Sequence, residues 1–288
     1  MSGDLLRSTV RDALFQEPGA HHLSRLSNRL QRVLLLIVAS LLVWLVMAYL
    51  LLPFAFRHYE HQQALGVLPM VTQTANGMAG DPFNIGLVGT QRQVVGVMHK
   101  AGWFPADPVT LRTSIEIIGS VLLDRAYADA PVSPLFFEGR KQDLAFEKAI
   151  GRSADRRMHV RFWQALRKGR EGRPVWLGAA TLDSGVGFSH YTGEVTHAIA
   201  PDIDAMRDTL STQLAETELI TETYEVSGIG PTLFGRNGEG DRYWTDGEIT
   251  VSVIAVDGET GTNPPAVLSK PPLIDLKDRA WQTVMTPN

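Results

Sequence analysis

The most restrictive feature of the chain is an uninterrupted apolar run from Val33 to Phe56, VLLLIVASLLVWLVMAYLLLPFAF, which carries no charge. As a helix rising ~1.5 Å per residue it spans about 36 Å, slightly more than the ~30 Å hydrocarbon core of a bilayer. Tilt absorbs the excess. A buried core helix fits poorly, because the run is apolar on every side and exceeds the ~18 residues that mark a spanning segment. A cleaved signal peptide fits poorly too. The run is too long for one, a long leader precedes it, and Pro53-Phe54-Ala55-Phe56-Arg57 is a poor cleavage site. Residues 33–56 are predicted to cross a lipid bilayer once.

Flanking charge gives the direction. Arg25, Arg29 and Arg32 lie just before the run, with Arg7 and Arg11 further out; after Arg57 there is no Lys or Arg until Arg92. The positive-inside rule places residues 1–32 in the cytoplasm and the bulk of the chain on the other side. Leu6, Val10, Leu14, Leu23, Leu26 and Leu30 recur at helical spacing. That segment reads equally as a surface helix on the inner leaflet or as a short tail.

The remainder has ordinary globular usage. In 288 residues, 44% are hydrophobic and 20% charged, with a net charge of −4. A nucleic-acid binder would show a basic excess. Cysteine is absent, which excludes disulfides, thiolate metal sites and a cysteine nucleophile. Residues 57–80 read as a stalk, 81–257 as a soluble domain and 258–288, rich in Pro, Gly, Thr and Asn, as an extended tail.

Within the domain, Asn84–Gly89 reads as a buried strand and Thr90 as the cap of a helix through Val94, Val97, Met98 and Ala101. Asp107-Pro108 opens a second helix with Leu111, Ile115, Ile118 and Leu122 on one face, ending near Tyr127. Ser133–Glu138, Met158–Phe162 and Val175–Leu182 read as strands, 201–216 as a helix, and Ile220–Val226 with Ile249–Val256 as a strand pair. The connection from Ser227 to Gly247 is long and holds Phe234, Arg236, Tyr243 and Trp244; structureless loops this long are uncommon unless they bind something or are disordered. The order lacks a regular βαβα repeat. It predicts an α+β fold with a mixed or mainly antiparallel sheet and packed helices, preceded by a single transmembrane helix.

Familiar catalytic motifs are missing: G-x-S-x-G, H-E-x-x-H, a P-loop and a dinucleotide fingerprint are all absent. One strand does carry chemistry. Arg157, His159 and Arg161 alternate, so they share a face, while Met158, Val160 and Phe162 share the other. An Arg-His-Arg face is costly to bury without an anionic partner, so it reads as an anion site, or else as a solvated edge paired with local acids such as Asp143 and Asp183. Asp183 and His197, with Asp202, Asp204 and Asp208 at a helix start, could supply a base or hold a divalent metal. First-turn acids, however, are also what a helix dipole favours. No metal ligand set is assigned and no cofactor is identified. The catalytic candidates are His159, Asp183 and His197. The ligand-binding candidates are Arg140, Arg157, Arg161 and Arg207.

Several stretches carry a family resemblance. They include Asp81-Pro82-Phe83-Asn84, Ala101-Gly102-Trp103, Ala130-Pro131-Val132-Ser133-Pro134 and Gly139-Arg140-Lys141-Gln142-Asp143-Leu144-Ala145-Phe146. Further on come Arg157–Trp163, Pro174–Ala180, Thr196-His197 and Pro201–Asp208. In this order they resemble the LssY C-terminal domain family of bacterial membrane-associated proteins over about residues 80 to 226. The family often has a second His after Thr-His; here that place is Ala198, which disfavours a two-histidine metal site. The resemblance implies membrane attachment, here in a bacterial inner membrane with a periplasmic domain, and an envelope or lipid context. It assigns no reaction. Two functions are therefore expected to compete. One is an envelope domain that binds a membrane-proximal protein or an anionic lipid. The other is a hydrolase of a phosphate-bearing or other anionic substrate, in which Arg140, Arg157, His159 and Arg161 hold the anion.

Overall fold

The computed structural model describes residues 20–118, 134–150, 157–188, 190–191, 195–227 and 234–285. Residues 1–19, with the first part of the expected surface helix, and the end of the helix expected near Tyr127 lie outside that set. The chain divides into two compact units, Met1–Ala55 and Phe56–Asn288.

The first unit is helical. Helix α1 (Ala20–Val46) passes through a π-helical turn (Met47–Leu51) into α2 (Leu52–Tyr59). Pro53 explains the turn: it has no N–H to give the carbonyl four residues back, and its ring crowds that carbonyl. The amide of Leu52 bonds to the Met47 carbonyl instead. The stretch Asn28–Ala55 is long and apolar enough to cross a membrane, and none of it is buried by protein. A buried core helix is thereby set aside. The helix starts ahead of the apolar run and includes Arg29 and Arg32, whose long stems can reach back to the interface.

The second unit is α+β. Its elements after a 3₁₀ turn (Gln63–Val67) are β1 (Val71–Gln73), β2 (Ala79–Pro82), β3 (Ile85–Val88), α3 (Gln91–Lys100), β4 (Phe104–Pro105) and α4 (Pro108–Ile118). Then follow β5 (Phe136–Phe137), β6 (Arg140–Lys141), β7 (Leu144–Ala149), β8 (Arg157–Leu166), β9 (Val175–Phe188), β10 (Val195–Ile199) and α5 (Ile203–Ala215). The last are β11 (Ile220–Ser227), β12 (Phe234–Arg236), β13 (Arg242–Trp244), β14 (Glu248–Ile254), β15 (Ala266–Val267) and α6 (Pro272–Met285). The main sheet runs β15-β11-β14-β3-β9-β8-β7-β4, with β10 paired to β9. Most pairs are antiparallel; β3 with β14 and β11 with β15 are parallel. A small sheet, β2-β1-β5-β6, and a two-stranded ribbon, β12-β13, complete the set.

The sheet is covered on both faces. On one, Val94, Val97 and Met98 of α3 and Met206, Leu210 and Leu214 of α5 pack with Val160, Phe162 and Ala180. On the other, Leu65, Met70, Leu135 and Phe137 pack with Trp163, Leu177, Tyr224 and Val251. This double burial is why β9 reads as a continuous apolar run. Phe83 meets Phe137 and Trp163 edge to face, at centroid distances of 5.1 and 5.4 Å. Gly178 lies where β9 passes between Phe162 and Ile85; a Cβ there would stand 2.5–2.8 Å from their side-chain atoms.

The helix starts follow the expected chemistry. The Thr90 hydroxyl accepts from Gln93 N while the Gln93 side chain accepts from Thr90 N, a reciprocal cap. Asp107 accepts from Thr110 N, and Asp202 from Ala205 N.

Two expectations need correction. The stalk of residues 57–80 is integral to the domain from Glu60 onward. Glu60, Gln62, Leu65 and Met70 are buried, and β1 joins the small sheet. The apolar positions here are too sparse to show a period, so packing against β8 and β11 decides. The extended tail of residues 258–288 contains helix α6, with Ile274 and Asp278 buried. Pro272, which reads as a breaker, sits at the first helical position, where no N–H is needed.

Candidate functional site

The alternation of β8 has the predicted consequence on its core side: Met158, Val160 and Phe162 enter the core. The opposite side carries a row of polar contacts. Arg157 Nη1 lies 3.1 Å from Glu147 Oε2 on β7, His159 Nε2 lies 2.9 Å from Asp183 Oδ2 on β9, and Arg161 Nη1 lies 3.5 Å from Asp81 Oδ2 on β2. Asn237, at the turn of the ribbon, donates to Asp81 Oδ1 at 3.4 Å. Three distant segments thus meet over the first half of β8.

This cluster is under electrostatic strain. Burial pushes the Asp81 carboxyl up, against Arg161 and the Asn237 hydrogen bond, which pull it down; Asp183 and Asp241 add to the rise. Burial also pushes the Arg161 guanidinium down, against Asp81, Asp183 and Asp107. For both partners the loss of water outweighs their attraction across 3.5 Å. The Tyr243 hydroxyl is likewise raised, by burial and then by Asp81. Two buried polar atoms, His159 Nδ1 and Arg161 Nε, have no hydrogen-bond partner among the described residues. An imidazole oriented by a carboxylate, with its second nitrogen uncommitted, has the arrangement of a general base.

The other candidates are placed elsewhere. Arg140 is exposed, 3.3 Å from both oxygens of Asp143, and donates to the Gln164 carbonyl. Arg207 is buried and committed: Nη1 and Nη2 reach Asp246 at 2.7 and 3.1 Å, Nε reaches Asp208, and Nη1 also meets the Glu248 carbonyl. These contacts hold its guanidinium firmly charged, well above its ordinary value, although burial alone would lower it. Asp204 accepts from the Thr245 hydroxyl and from Asp246 N. Burial raises its carboxyl, Arg207 opposes this, and Asp246 reinforces it. His197 pairs by backbone with Val186 on β9; its side chain lies outside the described residues. The structure therefore unites His159, Asp183 and Arg161 and separates Arg140 and Arg207 from them.

Sequence reasoning left Asp81, Asn237 and Tyr243 out of the site candidates, because nothing local ties them to β8. It also missed a second ionic group. The carboxylates of Glu225, Glu248 and Asp278 lie within 4.8 Å of one another, a spacing that could hold a metal ion. Lys270 reaches into this group and contacts both Glu225 and Asp278, the latter at 2.7 Å. Those contacts keep its ammonium raised against the opposing effect of burial. The lysine itself supplies the positive charge and pins the C-terminal segment to β11.

The expected long loop holds the β12-β13 ribbon. Phe234 faces Trp244 and Arg236 faces Arg242 across it, and all four are exposed. Between them Gly235 faces Tyr243, which turns inward onto Ile199 and Ile203. A side chain at Gly235 would collide with the Tyr243 ring. Among the described residues neither arginine of the ribbon makes an ion pair.

The family model described as LssY C-terminus matches residues 65–249. The chain belongs to that family. The matched span of this LssY C-terminal domain contains β8, β9, α5 and the ribbon, and leaves out the apolar helix and α6. Comparison with curated proteins and with solved structures returned no match.

Proposed function

We propose that the chain is a single-pass protein of a bacterial inner membrane, its N-terminus cytoplasmic, whose periplasmic LssY C-terminal domain binds a membrane-proximal protein. The observation that carries this reading is the exposed face of the ribbon, where Phe234 and Trp244 stand beside Arg236 and Arg242. Aromatic and arginine side chains are the usual anchors of protein interfaces. Two arginines directly opposed on a ribbon repel each other unless something acidic covers them. The partner is thus a protein with an apolar seat edged by carboxylates. Catalysis at the predicted anion site is less well supported, because Arg140, Arg157, Arg161 and Arg207 each have a carboxylate partner already.

A photocrosslinking residue in place of Trp244, in the full chain in native membranes, tests this. One adduct of defined mass is expected, lost in Arg236→Glu/Arg242→Glu and absent when the probe replaces the exposed Val109. No adduct, or one indifferent to the arginines, overturns the reading.

The hydrolase reading is favoured by one observation, the His159–Asp183 pair with its uncommitted Nδ1. It predicts phosphate-ester hydrolysis by the purified full chain that His159→Ala abolishes while the fold survives. Activity unchanged in that variant sinks it.

A further inference from the structure

The turn between β8 and β9 reads Arg167-Lys168-Gly169-Arg170-Glu171-Gly172-Arg173. Arg167, Lys168 and Arg170 are exposed. Glu171, the turn's one acid, is engaged elsewhere: it accepts from Gln62 and from the Tyr224 hydroxyl and lies 3.0 Å from His61 Nε2. Arg173 is half-buried and donates to the Ile254 carbonyl at 2.6 Å. Three cations are thus left without an ion pair among the described residues. Crowded like charges of this kind repel each other unless an anionic surface faces them.

The position of the turn identifies that surface. The Arg170 amide donates to the Gln62 side chain at 3.1 Å, and Arg170 Nη1 lies 3.5 Å from His61 Nδ1. Gln62 is itself buried and also donates to the Tyr224 hydroxyl at 2.9 Å. The turn is therefore fastened to residues 61 and 62, and the candidate membrane span ends at Ala55. Residues 56–60 lie between Ala55 and His61, and the link from Ala55 to Gln62 reaches no more than about 25 Å even fully extended. The polar layer of a bilayer, the arginine and lysine stems and a Debye length of about 8 Å fill much of that reach.

We infer that Arg167, Lys168 and Arg170 form a contact site for anionic lipid headgroups in the bilayer that holds the anchor. The site fixes which end of the domain faces the membrane. It rests on the anchored reading above but is separate from the ribbon. The ribbon turn packs by Asp81 and Arg161, midway along β8 and about 20 Å of strand from the basic turn. The ribbon is thereby left available to a protein partner. Near an anionic leaflet each cation contributes about 1 kcal/mol, or about fivefold in the docking equilibrium.

The test is hydrogen–deuterium exchange on the full chain in nanodiscs. In phosphatidylglycerol-containing discs, amides of residues 167–173 are expected to exchange at least about fivefold more slowly than in pure phosphatidylcholine discs. Salt should erase the difference. So should Arg167→Gln/Lys168→Gln/Arg170→Gln, a variant that keeps the backbone bond of Arg170 to Gln62; a single Lys168→Gln, with a partial loss, serves if the triple variant does not fold. Equal exchange in both discs overturns the inference while leaving the anchor intact. So does slowing that persists in the variant, or that inorganic phosphate reproduces in phosphatidylcholine discs. A chain that fails to enter discs overturns the anchored reading and this inference with it.

Discussion

At the scale of single residues, the pair Asp81–Arg161 is the most informative. It joins positions 80 residues apart, and both groups are pushed toward their neutral forms. A carboxyl whose folded value is raised lends stability that is complete below its ordinary 3.8 and is lost as pH climbs through the folded value. Asparagine in its place cannot ionise. The melting temperature of the wild type minus that of Asp81→Asn is therefore expected to fall as pH rises from about 3.5 to about 7, at about 2–4 °C for each kcal/mol. A difference that grows with pH would mean that the ionised pair stabilises the fold. At this scale the sequence shows that Arg157, His159 and Arg161 share a face, because strand alternation is local. It does not show that Asp81 and Asn237 complete the cluster, because chain-distant contacts leave no local periodicity.

At the scale of elements, boundaries were most legible where a cap defines them. Thr90 with Gln93, Asp107 with Pro108, and Asp202 each stand where side-chain chemistry satisfies amides that a helix start leaves open. Thr90→Ala removes a hydroxyl acceptor on the surface without disturbing the core. It should cost about 1 kcal/mol, read as a melting temperature lower by about 2–4 °C, with Thr90→Ser close to wild type. Equal loss in both variants would place the cost in the methyl group instead. Elements without such signals were less visible. The two-residue strands β4, β5, β6 and β15 are too short to carry a pattern, and they exist because a neighbouring strand offers hydrogen bonds. Helix α6 escaped because the Pro, Gly and Thr before it dominate the composition of the tail.

At the scale of the whole molecule, the proposed anchor carries the widest prediction. Its direction is testable because the natural chain has no cysteine. Val267 is highly exposed in the second unit, so Val267→Cys gives one accessible thiol. A membrane-impermeant maleimide is expected to label it in cells whose outer membrane alone has been opened. Labelling only after the inner membrane is broken would reverse the orientation.

The sequence by itself determined the apolar helix near the N-terminus, the α+β class, the main caps and the two-faced character of β8. Each depends on local composition, period or spacing, which a linear chain displays directly. Only the tertiary structure decided that Asp183 and Asp81 meet β8, that Arg207 is consumed by Asp246, that Lys270 closes an acidic group, and that the basic turn is fastened to His61 and Gln62. Those facts depend on which distant segments share a surface. Burial then sets the strength of each charge, and neither quantity is written at any one position in the chain.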